Sequence, residues 1–322
     1  MRKSTLIAVG FVSIMSILGS AQAENYPERP ISLIIPYAPG GITDVSMRML
    51  AQKLEQHLGQ TIVVENRAGA ATTVASNYVS RQKPDGYTLY AASVSLPLNK
   101  YLQKSVQYDA YKDFTVLSGL ADSPFILEVS STLGIKTMDE LVKQIRENPG
   151  KYTIGASGVG AMNHIAAETW MKQGNLDALL VQYQGGAPVR QAILGGDIHM
   201  TFATLNEALP LKNDGKVEFV AVTTTERLSA YPDVPTVKES MGLDNFEAVF
   251  WTALLAPQGI DEARAEKIRT AMREVGKDDE LRAKLKNQGV TLNVTDAQTT
   301  VERMKGAEKT FGPIIKEFQK GQ

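Results

Sequence analysis

The chain has 322 residues, with 34 basic against 35 acidic side chains, 43% hydrophobic residues and no cysteine. That balance leaves no basic excess to attract phosphate backbones or anionic lipid, so neither nucleic acid nor a membrane surface is an expected partner. Without a disulfide framework, stability has to come from burial, which a chain of this length supplies, usually as two domains.

Residues 1–23 read as a cleavable secretory signal. Arg2 and Lys3 form a positive start, Leu6 to Leu18 an apolar run, and Ala21-Gln22-Ala23 a small-x-small site with cleavage expected after Ala23. The run of about 13 residues falls short of the roughly 20 that a spanning helix needs. The expected mature protein is therefore free in the periplasm, with no membrane insertion.

Short β-branched runs then alternate with amphipathic stretches. ISLIIPY (31–37), a helix from about Asp44, TIVVEN (61–66), a second helical stretch and YTLYAAS (87–93) give βαβαβ, hence a parallel sheet covered by helices. In the first helix Thr43 or Asp44 is the expected N-cap, Met47, Leu50, Leu54 and Leu58 share one face, and Gly59 ends it. The pattern restarts after Phe125 with FILEVS, a helix from Thr137 to about Glu147, YTIGAS (152–157), a helix to about Gln173, LLVQY (179–183), another helix, MTFAT and VEFVAVTT. From about Phe246 come one more apolar strand, VFWTALLAP, and helices near 261–275, 278–287 and 297–319, which are too poor in strands to form a third domain. The expected fold class is α/β, a two-lobed type II-like periplasmic-binding architecture with a mixed sheet in each lobe and a cleft between. Lobe 1 is expected to comprise 24–124 plus 246–322, and lobe 2 residues 125–245.

Three strand-to-helix turns carry the chemistry. The first, IPYAPGGITD, leaves a buried strand through Tyr37, Ala38, Pro39, Gly40 and Gly41 and enters a helix at Thr43 and Asp44. Paired glycines let a ligand approach the backbone, and unsatisfied N–H groups at a helix start attract anions. A plain tight turn explains the same residues. GASGVGAMNH (155–164) offers donors at Gly155, Ser157, Gly158 and Gly160, with Ala161 beside them and Asn163 and His164 in the first turn of the next helix, and VQYQGGAP (181–188) brings Tyr183, Gln184, Gly185 and Gly186 to a similar edge. Tyr37 and Tyr183 can wall a small ligand or belong to the core. Ser93, ending a strand, and Thr204, ending MTFAT, complete the candidate contacts. The second turn matches neither G-x-G-x-x-G nor G-x-S-x-G, which weakens nucleotide and hydrolase readings. His57, His164 and His199 lack metal-ligand spacing, so no metal and no cofactor are expected. Asp44 reads as a first-turn acid with Arg48 as its i+4 partner.

YPERPISLIIPYAPGGITD with Arg48 following, GQTIVVENRAGA (59–70), PDGYTL (84–89), YDAYKDF (108–114), GASGVGAMNHIAAE, VQYQGGAP with LGGDIHMTF, and YPDVPTVKESM occur in order from Tyr26 onward. In these the chain resembles the Bug-family substrate-binding proteins of tripartite tricarboxylate transporters. The resemblance implies a hinge-closing, non-catalytic monomer that captures a small mono- or dicarboxylate and presents it to membrane permease subunits. It also implies that the turn Tyr37 to Thr43 holds one ligand carboxylate, while Ser157 to Asn163 and Tyr183 to Gly186 read the rest. Departures concentrate in the second lobe: Ala161 stands where the family commonly has Ser or Thr, Gln184 where it has Lys or Arg, and Ala203-Thr204 where it has Asp-Asn. In the first lobe, Ala70-Ala71-Thr72-Thr73 replaces a Gly-rich run. Two rival readings are a secreted hydrolase or lyase using Ser157 or His164, and a sensory binding subunit serving a membrane receptor.

Overall fold

A computed structural model describes residues 25–244 and 246–320. The expected secretory signal lies outside the described residues. Ile31, Leu33, Ile34 and Ile35 are all buried, as a strand covered on both faces requires. This strand, β1 (Ile31–Ile35), pairs in parallel with β2 (Ile62–Asn66) and β3 (Thr88–Ser93). Helix α1 (Ile42–Leu58) connects the first two strands, and its buried stripe includes Met47, Leu50, Leu54 and Leu58, as the spacing predicts. Its N-cap is Gly41, with no side-chain cap bond, which corrects the expectation of Thr43 or Asp44. The Asp44 carboxylate bonds back to the turn at Gly40 instead of onward into the helix.

A 3-10 turn at Ala70–Thr72 leads into α2 (Thr73–Val79), and α3 (Ser95–Leu102) follows β3. Strand β4 (Phe114–Ser130) is 17 residues long, and only its second part, FILEVS, is evident from the sequence. Its first part pairs antiparallel with β9 (Val249–Pro257) and, at Ala121 and Asp122, with the short β10 (Thr291–Leu292). Its second part pairs antiparallel with β7 (Met200–Thr204) and β8 (Val217–Val222). Next to β7, β5 (Thr153–Ala156) and β6 (Leu179–Gln182) run parallel. The main path is β2-β1-β3-β9-β4-β7-β5-β6, with β8 and β10 pairing β4 off it, so β4 joins two lobes of one mixed sheet.

Helices α4 (Met138–Glu147), α5 (Met162–Gly174), α6 (Gly186–Gly195), α7 (Leu205–Asn213) and α8 (Val237–Met241) accompany the second group of strands. α4 starts with a reciprocal cap in which Thr137 accepts from the Glu140 N–H at 3.2 Å and Glu140 accepts from the Thr137 N–H at 3.3 Å. Trp170 on α5 packs edge-on against Phe202 of β7 with ring centroids 5.9 Å apart, both fully buried. The last helices, α9 (Glu262–Val275), α10 (Asp279–Lys286) and α11 (Ala297–Lys320), return to the first lobe: α9 and α10 pack on α1, and α11 packs on α3. α11 also reaches α5, where Lys172 and Glu317 form an ion pair. No helix among the described residues is long and apolar enough to cross a membrane.

Candidate functional site

The ends of β1, β3, β5, β6 and β7 deliver the candidate residues. Open α/β sheets bind ligands beyond the C-terminal ends of their strands, because there the chain leaves the ladder and exposes unsatisfied backbone groups. On the first lobe, Ala38, Pro39, Gly40 and Gly41 form an exposed turn between β1 and α1, while Asp44 beneath them is only 3% exposed. Asp44 accepts from the Gly40 N–H at 2.9 Å, from Arg48 Nε at 3.0 Å and from Asn66 Nδ2 at 2.8 Å. Asn66 Nδ2 also donates to the Tyr37 carbonyl at 3.0 Å, and Arg48 Nη2 donates to Asn66 Oδ1 at 2.8 Å. Burial pushes the Asp44 pKa up, but the hydrogen bonds from Arg48, Gly40 and Asn66 outweigh it and hold the carboxyl below its ordinary value. Asp44 thus shapes the turn, and its acceptor capacity is largely used within the protein.

Tyr37 donates to Ser93 Oγ at 2.8 Å and meets Phe250 edge-on at 5.7 Å between ring centroids. Burial pushes its phenol up to about 12, so the ring stays neutral and keeps donating. Ser93 is itself buried and fixes the wall formed by Tyr37; Thr43 lies in the first turn of α1, half-buried.

On the second lobe the two glycine turns lie side by side. Gly185 N–H donates to the Ser157 carbonyl at 3.1 Å, and Tyr183 N–H to the Ala156 carbonyl at 2.8 Å. Asn163 Oδ1 accepts both the Ser157 N–H at 3.3 Å and its hydroxyl at 2.9 Å, which fixes the loop through Gly158. The Ala161 N–H closes that loop onto the Gly158 carbonyl at 3.1 Å. The Ser157 hydroxyl donates to Asn163 Oδ1 at 2.9 Å, while His164 Nδ1 accepts the Gly160 N–H at 3.0 Å and its Nε2 lies 3.7 Å from Glu168 Oε1. Thr204, at the end of β7, donates from its hydroxyl to Glu207 at 2.6 Å and from its N–H at 3.2 Å.

The lobes meet at two glycines with positive φ. A Cβ on Gly160 (φ +82) would lie 2.8 Å from Leu102 Cδ2 on α3, and one on Gly289 (φ +70) would lie 2.9 Å from the Asn206 nitrogen at the start of α7. Leu102 and Gly289 are therefore contacts between the lobes, Asn66 and Phe250 hold the first-lobe turn and Tyr37, and none of the four belongs to the three strand-to-helix glycine turns. Among the described residues no group of three or more His, Asp or Glu side chains is placed to hold a metal ion.

Two α/β lobes joined by a shared strand, each with glycine turns at its strand ends, are the architecture of extracytoplasmic solute-binding proteins. The chain belongs to the tripartite tricarboxylate transporter receptor family, TctC, whose profile matches residues 46–319. It is 32% identical to the protein BugT of Bordetella pertussis, over 78% of this chain and 77% of that one. The solved structure of R. palustris Rpa4515 with adipate is 27% identical, with a TM-score of 0.75, covering 89% of this chain and 99% of that one. The periplasmic binding protein BugD is 26% identical, with a TM-score of 0.73, covering 92% and 98%.

Proposed function

We propose that this protein is a periplasmic receptor that closes around one small carboxylate and presents the closed form to the permease subunits of a tripartite tricarboxylate-type transporter. The observation that carries this reading is the exposed turn Ala38 to Gly41, whose backbone is held open by the buried Asp44 together with half-buried Asn66 and exposed Arg48. Such a turn at a helix start suits an oxyanion. The adipate bound by the R. palustris relative supports a carboxylate as the ligand class. Lobe 1 is assigned residues 24–124 with 246–322 and lobe 2 residues 125–245, a division supported by the change of β4 partners between Pro124 and Phe125. Contacts are assigned to Tyr37, the Ala38 to Thr43 turn, the Ser157 to Asn163 turn, the Tyr183 to Gly186 turn and Thr204, with Ser93 and Asp44 holding the first of these in shape.

Binding shifts an open-closed equilibrium only by its differential affinity for the closed form, so the ligand has to touch both lobes. Thermal unfolding of the mature protein tests the reading against mono-, di- and tricarboxylates. A ligand at 100 times its Kd adds about 2.7 kcal/mol and raises Tm. A complete panel of carboxylates that leaves Tm unchanged would overturn it. Intact-mass analysis of periplasmic protein checks the processing, with an N-terminus at Glu24 expected.

A further inference from the structure

Behind the second-lobe turns lies a cavity of about 20 Å³ lined by Glu128, Asn163, Gly186, Arg190, Thr201 and Glu207 among others. That is room for one small polar group. Asn163 and Gly186 belong to the two glycine turns, so the cavity lies directly against the turns assigned to the ligand. Glu128 on β4 is 2% exposed, and its Oε2 has no hydrogen-bond partner. Leaving a buried carboxyl oxygen unpaired costs stability, and a functional role is a physical reason for keeping it.

The lining carries acceptors on Glu128, Glu207 and Thr201 beside donors on Arg190 and Asn163. Glu207 Oε2 is occupied by Thr204, while Oε1 lies 2.8 Å from the position a Cβ on Gly186 would take, so the bare glycine leaves that oxygen room. The Thr201 hydroxyl gives its proton to the Gly155 carbonyl at 2.8 Å and so has only lone pairs to offer. Against two carboxyl groups stands one cation, Arg190. An ammonium carries three donors and no acceptor, the complement of such a lining, whereas a second ligand carboxylate would face two carboxyl groups.

We propose that this cavity is an ammonium subsite, with Glu128 and Glu207 as acceptors, and that the captured solute is an amino acid-type zwitterion whose carboxylate sits on the first-lobe turn. The proposal rests on the carboxylate-receptor reading. Charged groups reach Glu128 from α7 (Glu207) and α6 (Arg190), while α5, β7 and β8 present Asn163, Thr201 and Phe219. Burial raises its pKa most, the Glu207 charge raises it further, Arg190 lowers it, and the result is about 8. At neutral pH the carboxyl keeps its proton until a cation arrives. The ammonium enters protonated, the Glu128 O–H bond breaks, the proton leaves to solvent, and the carboxylate pairs with the ammonium.

The test uses matched ligands on four-, five- and six-carbon skeletons: the monocarboxylate, its ω-amino and 2-amino derivatives, and the dicarboxylate. Calorimetry at pH 7 in two buffers of different ionisation enthalpy should find one amino derivative bound at least ten-fold tighter than its amine-free parent, with close to one proton released. Glu128→Gln should abolish the release and most of the preference. Glu207→Gln, which keeps an oxygen for Thr204, should also reduce the preference. Equal or tighter binding of the amine-free acids, or a Glu128→Gln variant that retains the preference, overturns the subsite and leaves the carboxylate receptor standing. Failure of every acid to bind overturns both.

Discussion

Replacing Asp44 with Asn tests whether a buried carboxylate organises the first-lobe turn. The wild-type side chain accepts from a backbone N–H, a guanidinium and an amide, all within 3.0 Å. Asparagine keeps one acceptor oxygen and turns an NH2 group toward at least one of these donors. A hydrogen bond to a charged group contributes about 1.5–3 kcal/mol, and a buried donor left unpaired costs about 1–3 kcal/mol. Arg48 is nearly half exposed and recovers part of its loss from water, which brings the expected destabilisation to about 2–3 kcal/mol at pH 7. The Asp44 pKa is depressed below 3.8 in the folded protein, so its contribution is full above that value and is lost as pH falls through the folded pKa. Urea unfolding of wild type and Asp44→Asn should therefore show a gap at pH 7 that narrows below about pH 4. A gap under about 0.5 kcal/mol at pH 7, or one that stays constant down to pH 3, would refute the reasoning. Carboxylate affinity should fall with the variant as well, because Gly40 loses the group that fixes its N–H.

Glu128 works in the opposite sense. Its pKa is raised to about 8, so the folded protein loses stability as pH rises from about 4.5 toward 8; Glu128→Gln should remove that part of the slope and be the more stable protein at pH 8 in ligand-free urea titrations. Gly289→Ala places a methyl group against the Asn206 nitrogen of the other lobe and should weaken ligand binding about ten-fold, whereas Gly134→Ala, with similar φ and nothing within 4 Å, should change affinity by less than two-fold in parallel calorimetry. Thr137→Ala removes the α4 cap far from the cleft and should lower unfolding free energy by about 1 kcal/mol with affinity intact; a loss of affinity would mean that α4 participates in closure.

Much of the fold is legible in the sequence because buried parallel strands and their amphipathic helices repeat a local pattern. The first part of β4 is not: Ser118, Gly119 and Pro124 interrupt it, and register shifts near Val116 and Gly119 break its period of two. α3 and α7 are hidden by Pro97 and Pro210, which lie inside helices held by tertiary packing. The turns at Gly40, Gly158 and Gly185 are legible because close backbone approach leaves a glycine signature. Asn66 and Glu128 are not, since each acquires its role from partners on other strands and helices. In FILEVS a lone glutamate reads as the solvent side of an alternating strand, and only the covering α6 and α7 reveal that it is buried.

The passage of β4 between lobes, with Ser123 paired to Phe250 and Pro124 to Val249, makes the connection there a strand-paired ribbon, not a pair of slack loops. Such a ribbon behaves as a leaf spring: its resting curvature, set by bulges and side-chain crowding, biases how far apart the lobes stand before any solute arrives. Residues outside the assigned contacts, Phe250 and Pro124 among them, thereby acquire leverage over the solute's residence time. Tuning a biosensor built on this scaffold could start with the stiffness of that ribbon and leave the recognition surface unaltered.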